Sequence, residues 1–230
     1  MIPLGESRPP RRRQGVIALD QHLPGKDASR RPIKARGNAL VQRIAAALAR
    51  SPLTPNAISV LSIVFAAAGA AALLWLPPWG AWLCALGIQL RLLCNLFDGM
   101  VAVEGGRSTP TGALYNEVPD RVADSLLLVA LGYAAGLSWA GWLAALLAAS
   151  TAYIRTLGGA LGQAQDFRGP MAKQHRMVLM TSACVLVPFE AMAAGSRYAL
   201  AVAVLAIALG ALVTCATRLR VIARRLEATP

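Results

Sequence analysis

Six stretches of about 20 apolar residues, joined by connections of hairpin length, leave this chain few ways to fold. They run approximately over 57–76, 81–97, 113–136, 138–160, 177–196 and 198–217. A segment of that length can cross hydrocarbon as a helix because its backbone polar groups are then satisfied internally. With 56% apolar residues in 230, the chain is too apolar for an ordinary soluble domain and too short for several. The expected architecture is an all-α integral membrane protein with a six-helix domain over 57–217.

The formal charge of +12 raises the question of nucleic acid, but the basic residues avoid the apolar stretches almost entirely. Eleven of the 23 lie before Ala57, from Arg8 to Arg50. No nucleic-acid partner is expected; the partner for this charge is an anionic membrane surface. Residues 1–37 read as a flexible basic arm with too little apolar surface to repay ordering. Residues 38–56 lead into the first span. Within them Leu40, Val41, Ile44, Ala47 and Leu48 oppose Arg43 and Arg50 at helical spacing, an amphipathic helix expected to lie on the cytoplasmic interface.

An even number of spans places both termini on one side. The connections there carry Arg107, Arg168, Lys173 and Arg176, followed by a basic tail over 218–230, whereas the opposite connections carry only Arg197. The positive-inside rule then puts both termini in the cytoplasm, in the inner membrane of the cell. Trp75, Trp79 and Trp82 bracket the first outer turn, and Trp139 and Trp142 the second, as interfacial belts do. No short apolar leader with a cleavage site follows the basic start. Cys84, Cys94, Cys184 and Cys215 sit singly in apolar runs, without metal-ligand spacing, and read as core residues.

The acids are the exception to this pattern. The second span ends Asn95-Leu96-Phe97-Asp98-Gly99, and the third opens with Asn116, Glu117, Asp120 and Asp124. Asn95 and Asp98 share one helix face, and Asn116, Asp120 and Asp124 another. An Asp at a helix centre costs on the order of 3 kcal/mol against lipid, so these side chains must face a cavity. Carboxylates gathered there repel one another unless cations balance them. Oxygen donors favour a hard ion, Mg²⁺ or Mn²⁺, with Ca²⁺ as another occupant. A second reading pairs the same acids with Arg107 and Arg121 and gives them no catalytic task. Gly99 and Gly112 flank the hairpin where a phosphate would need to approach the backbone closely.

From Asn95 to Asp120 the sequence resembles the signature of the CDP-alcohol phosphotransferase family, D-x-x-D-G-x-x-A-R-x8-G-x3-D-x3-D. Asp98, Gly99, Ala102, Gly112 and Asp120 stand at the required separations. Leu53-Thr54-Pro55-Asn56-Ala57-Ile58-Ser59 is similar to the family's approach to its first span, and the resemblance extends over about residues 38–217. It departs at Asn95, Asn116 and Val103, where the family has Asp, Asp and Arg. What it implies is metal-dependent transfer of a phosphoalcohol, a phosphatidyl group in phospholipid biosynthesis, from a donor such as CDP-diacylglycerol to an acceptor alcohol, releasing CMP. Asp120 is then the general base, and Asn95, Asp98, Asn116, Glu117, Asp120 and Asp124 are the metal ligands. Gly99, Ala102 and Gly112 line the nucleotide pocket, and Arg107 stands in for the missing Arg.

Arg155, Lys173 and Arg176 are candidates for a phosphate on the acceptor, as similar basic residues are in family members using phosphorylated acceptors. Headgroup anchoring is the alternative for each. His175 reads as a loop residue, Glu190 as a partner of Arg197, and Pro188 as a helix kink. A homodimer is expected by resemblance. Two other functions compete: an ion-coupled transporter using the acids as a relay, and a family member that binds the nucleotide-lipid without turning it over.

Overall fold

A computed structural model describes residues 38–103 and 105–228; the expected basic arm over 1–37 and the last two residues of the tail lie outside the described residues. Among these residues there is no strand. The elements are α1 (Ala39–Arg50), α2 (Pro55–Trp75), α3 (Gly80–Val103), α4 (Gly112–Ala134), α5 (Ser138–Ala160), α6 (Lys173–Ala194) and α7 (Tyr198–Glu227). Their starts follow from local chemistry. Asn38 Oδ1 accepts from the Leu40 N–H at 2.9 Å to open α1, and Thr54 Oγ1 accepts from the Ala57 N–H at 3.1 Å to open α2, with Pro55 at its first position. Gly195, with φ 65°, closes α6 in the left-handed conformation that glycine adopts at least cost.

Five of these helices, α2, α3, α5, α6 and α7, are long and apolar enough to cross a membrane. The fourth helix, 23 residues long, departs only through Glu117, Asp120, Arg121 and Asp124 near its start. Three boundaries differ from expectation. Helix α3 continues past Phe97 to Val103, because a single Gly99 costs about 1 kcal/mol and apolar helix formers follow it. Helix α6 begins at Lys173 rather than Met177. The expected basic tail is helical as far as Glu227, so α7 has 30 residues and a length of about 45 Å, longer than the hydrocarbon core.

The core is built from small side chains and a few large ones, including Ala66, Cys84, Ile88, Leu127, Leu131, Met177, Met180 and Ile207. Glycines set the closest approaches. A Cβ at Gly132 of α4 would lie 2.5 Å from the Gly141 Cα of α5, and one at Gly87 of α3 would lie 2.7 Å from the Phe65 carbonyl oxygen of α2. Backbones this close give van der Waals contact that needs no hydrophobic drive. All four cysteines are buried and free.

The outside is apolar. Leu146, Leu186, Val202 and Leu209 are each more than half exposed, as are Trp75, Trp139 and Trp142. A surface of this kind is suited to hydrocarbon and is a liability in water. Pro188 lies inside α6, which continues past it to Ala194. Glu190 does not pair with Arg197. Its carboxylate accepts from Ser196 Oγ at 2.6 Å and from the N–H groups of Tyr198 and Ala199 at 2.6 and 3.0 Å, satisfying donors that the start of α7 would otherwise leave free.

Candidate active site

The hairpin of α3 and α4 carries the acids, and these two helices meet through long side chains, their backbones packing mainly on others. Helix α3 packs on α2 and α6, and α4 on α2 and α5, so neighbouring helices complete the site. From α2, Ser59 Oγ donates to Asp98 Oδ2 at 2.5 Å. From α6, Lys173 Nζ donates to Asp120 Oδ1 and Oδ2 at 2.6 and 2.5 Å, and Arg176 Nη2 to Asp124 Oδ2 at 2.9 Å. From α5, Arg155 Nη2 donates to Glu117 Oε1 at 2.5 Å.

Arg91 binds this arrangement together. Wholly buried in α3, it places Nη2 2.6 Å from Asp124 Oδ1 and 3.3 Å from Asp120 Oδ1, and its Nη1 donates to Met177 Sδ. Asn95, one turn on, donates Nδ2 to Asp120 Oδ1 at 2.6 Å. Asp120 is therefore held by Asn95, Lys173 and Arg91 together, while Asp98 lies near enough to interact with both Asp120 and Lys173. Charges this far from water are tolerated because each has a partner. Sequence reasoning missed Arg91, although a lone Arg in an apolar run, one turn before Asn95 and two before Asp98, signals an inward face. In the sequence Ser59 stands out only as part of the approach to the first span.

Other expected residues are placed differently. Arg107 is turned to the end of α1, where Nη1 donates to the carbonyls of Ser51 and Leu53 at 3.0 Å each and to that of Ala49 at 3.5 Å. Carbonyls beyond a helix end lack helical donors, and a guanidinium supplies them. Of the two arginines in the second reading, Arg107 does not meet the acids, whereas Arg121 pairs with Asp120 at 3.6 Å and Glu117 at 3.8 Å; the closer cations are Arg91, Arg155, Lys173 and Arg176. Asn116 is exposed. Gly99 lies within α3, and Ala102 accepts from Ser108 Oγ through its carbonyl at 2.8 Å. A Cβ at Gly112 would meet only Thr109 Oγ1, at 3.6 Å, so the chain's own packing does not demand glycine there. His175 is exposed at the start of α6.

Asp98, Asp120 and the Asn95 carbonyl are oxygen donors of the kind a hard divalent cation takes. They are not the full set of ligands expected. Among the described residues no group of three or more His, Cys, Asp or Glu side chains is gathered to hold an ion. Glu117 is paired with Arg155, and Asp124 with Arg91 and Arg176.

A groove of about 800 Å³ runs along α4 from Arg121 to Tyr133, toward the far end of the helix. Arg121 stands in it with Ala70, Leu74, Val122, Leu126 and Val129, and Trp75, Tyr133 and Trp142 line it too. From Arg121 to Tyr133 the helix rises about 18 Å.

The archaetidylinositol phosphate synthase of Aeropyrum pernix is 34% identical to this chain over 136 residues, which are 59% of this chain and 68% of that protein. The chain belongs to the CDP-alcohol phosphotransferase family. No family model matches it. The solved structures agree on the fold. The phosphatidylinositol phosphate synthase of Mycobacterium tuberculosis with CDP-DAG bound superposes with a TM-score of 0.66 at 23% identity, over 80% of this chain and 94% of that one. The same protein in complex with manganese and citrate gives 0.65 at 24% identity, over 79% and 88%. Its apo form gives 0.63 at 25%, over 77% and 93%. Membership of this family and the apolar helices together make the chain an integral membrane protein, and its homologues are phosphatidyltransferases of phospholipid biosynthesis.

Proposed function

We propose that this protein transfers a phosphatidyl group from CDP-diacylglycerol to the hydroxyl of an acceptor alcohol, releasing CMP. The observation that carries this reading is the Asp120 carboxylate, oriented by Asn95 and Lys173, with Asp98 and Asp120 both at motif positions of the family. Asp120 takes the proton of the acceptor hydroxyl. The acceptor oxygen forms a bond to the phosphorus that bears diacylglycerol, and the bond from that phosphorus to the bridging oxygen of CMP breaks. Lys173 must release one Asp120 oxygen for this, and Asn95 and Arg91 keep the carboxylate in register meanwhile.

A divalent cation, Mg²⁺ or Mn²⁺, bound by Asp98, Asp120 and Asn95 would neutralise charge on the donor diphosphate. Arg121 lies beside the groove with a guanidinium only loosely held by carboxylates, which suits the donor's phosphate, and the apolar wall beyond it suits an acyl chain. Gly99, Ala102 and Gly112 have small or absent side chains on the approach to Asp98 and leave space for the nucleotide.

In this reading α4 is the sixth span, with its charges turned inward, and α1 lies on the cytoplasmic interface. Both termini and the site face the cytoplasm of the inner membrane, and the protein is a homodimer. The test is purified protein with CDP-diacylglycerol, Mg²⁺ or Mn²⁺ and a panel of acceptors, following CMP. Release that needs both donor and acceptor supports the reading, and its absence across the panel overturns it. A member that binds donor without turnover is favoured by Asn95 and Asn116 at two acid positions, and donor binding without CMP release identifies it.

A further inference from the structure

We infer that the divalent ion binds this site together with the diphosphate of the donor and not ahead of it; the inference rests on the transferase reading. The balance of charge carries it. Four carboxylates, those of Asp98, Glu117, Asp120 and Asp124, share the site with five cations, Arg91, Arg121, Arg155, Lys173 and Arg176. The protein alone therefore holds one positive charge in excess there. Hydrogen bonding shows a surplus of donors as well, since Nε of Arg91 and Nε of Arg176 are buried without an acceptor. Asp at 95 and 116, as in the family signature, would bring two more negative charges, and the two asparagines of this chain bring none.

A divalent ion arriving by itself would raise the excess from one to three. Arg91, Asp98, Asp120, Asp124 and Arg176 are all buried, so water and salt screen that excess weakly. The ion also meets a competitor. Lys173 Nζ already spans both oxygens of Asp120, at 2.6 and 2.5 Å, and Asn95 Nδ2 takes Oδ1 as well. To reach Asp120 the ion must move the ammonium off at least one oxygen and then tolerate it nearby.

The diphosphate relieves both difficulties. Its two negative charges return the excess to one, where the protein alone stands. Its oxygens accept from the displaced Lys173 in a charge-assisted hydrogen bond. Linkage then requires the ion to strengthen donor binding by the same factor as the donor strengthens ion binding.

The experiment uses full-length protein in lipid nanodiscs, with Mn²⁺ as the probe and no acceptor, so that binding is read without turnover. Electron paramagnetic resonance measures Mn²⁺ affinity with and without CDP-diacylglycerol, and empty nanodiscs of the same lipid composition correct for ion held by the donor lipid itself. The donor is expected to tighten Mn²⁺ binding by about tenfold, within the usual range for coupled sites, and Mn²⁺ to tighten donor binding equally. Two variants shift the balance toward negative charge: Asn95→Asp adds a carboxylate, and Lys173→Met removes the competing ammonium. Each is expected to strengthen Mn²⁺ binding to donor-free protein and to shrink the donor effect, whereas loss of a merely structural residue would not tighten ion binding. Melting curves select the folded variants. Equal Mn²⁺ affinity with and without donor overturns the inference, as does no Mn²⁺ bound in either state, or an undiminished donor effect in either folded variant. Native mass spectrometry for bound CDP-diacylglycerol, with CMP release measured separately, tells two failures apart. Donor bound and CMP released without coupling to the ion removes only the inference, whereas no donor bound and no CMP formed removes the transferase reading as well.

Discussion

Asp120 and Arg91 decide what a single side chain contributes here. Asp120 receives hydrogen bonds from Asn95, Lys173 and Arg91, so Asp120→Asn removes the proposed base and leaves two cations facing a neutral amide. CMP release is expected to fall by about 10²-fold or more, the usual size of a lost general base, while the variant still extracts as a folded protein. Arg91→Leu acts differently. It takes one cation from the Asp120 and Asp124 carboxylates and leaves them Lys173 and Arg176, and breaking a buried pair costs up to about 3–5 kcal/mol. The expected outcome is a protein that unfolds at a clearly lower temperature in detergent, and an unchanged melting curve would refute the role given to Arg91. Chelation provides a third test. Removing divalent ions should abolish CMP release, and Mn²⁺ should restore it with about one ion bound per chain by electron paramagnetic resonance, because the acids that could hold a second are taken by arginines.

Among the elements, the contact of α4 with α5 depends on two facing glycines. A methyl at Gly132 would meet the Gly141 Cα at 2.5 Å, a distance side-chain rotation cannot relieve because both partners are backbone. Gly132→Ala is expected to force the helices apart and lower the melting temperature more than an alanine at Gly106, where an added Cβ meets nothing within 4 Å although φ is 63°. The connection between α5 and α6 carries a different signal. Burial alone would raise the Asp166 carboxyl, but the Arg168 guanidinium and N–H outweigh it and hold it below the ordinary carboxylate range. A depressed folded value means the contribution to stability is complete above the unfolded pKa, about 3.9, and is lost as pH falls through the folded one. Amide exchange across 166–172 should therefore quicken below about pH 4.

For the whole molecule, the apolar periphery and the uneven distribution of basic residues set orientation. Cysteines introduced one at a time at Arg224 and at Ser196, in a background lacking the four native ones, should label from opposite sides of the membrane. Labelling from the same side would overturn the six-span reading.

Much of this was legible in the residues alone. The spacing of apolar runs gave every long helix, because hydrocarbon allows a single chain segment few other conformations and length alone identifies those that fit. Asp98, Gly99, Gly112 and Asp120 stand at the separations of the family signature, and the 3.6-residue helical period sets Asp98 on a face with Asn95, and Asp120 on a face with Asn116 and Asp124. What partners those acids take was not legible. Lys173, Arg155, Arg176 and Ser59 come from helices far along the chain, and their approach depends on how α2, α5 and α6 pack. Local period carries no information about that. Only the tertiary structure could show that the hairpin acids are shared out among arginines and a lysine rather than gathered around one point, because charge pairing is settled by distances between helices and not by order along the chain.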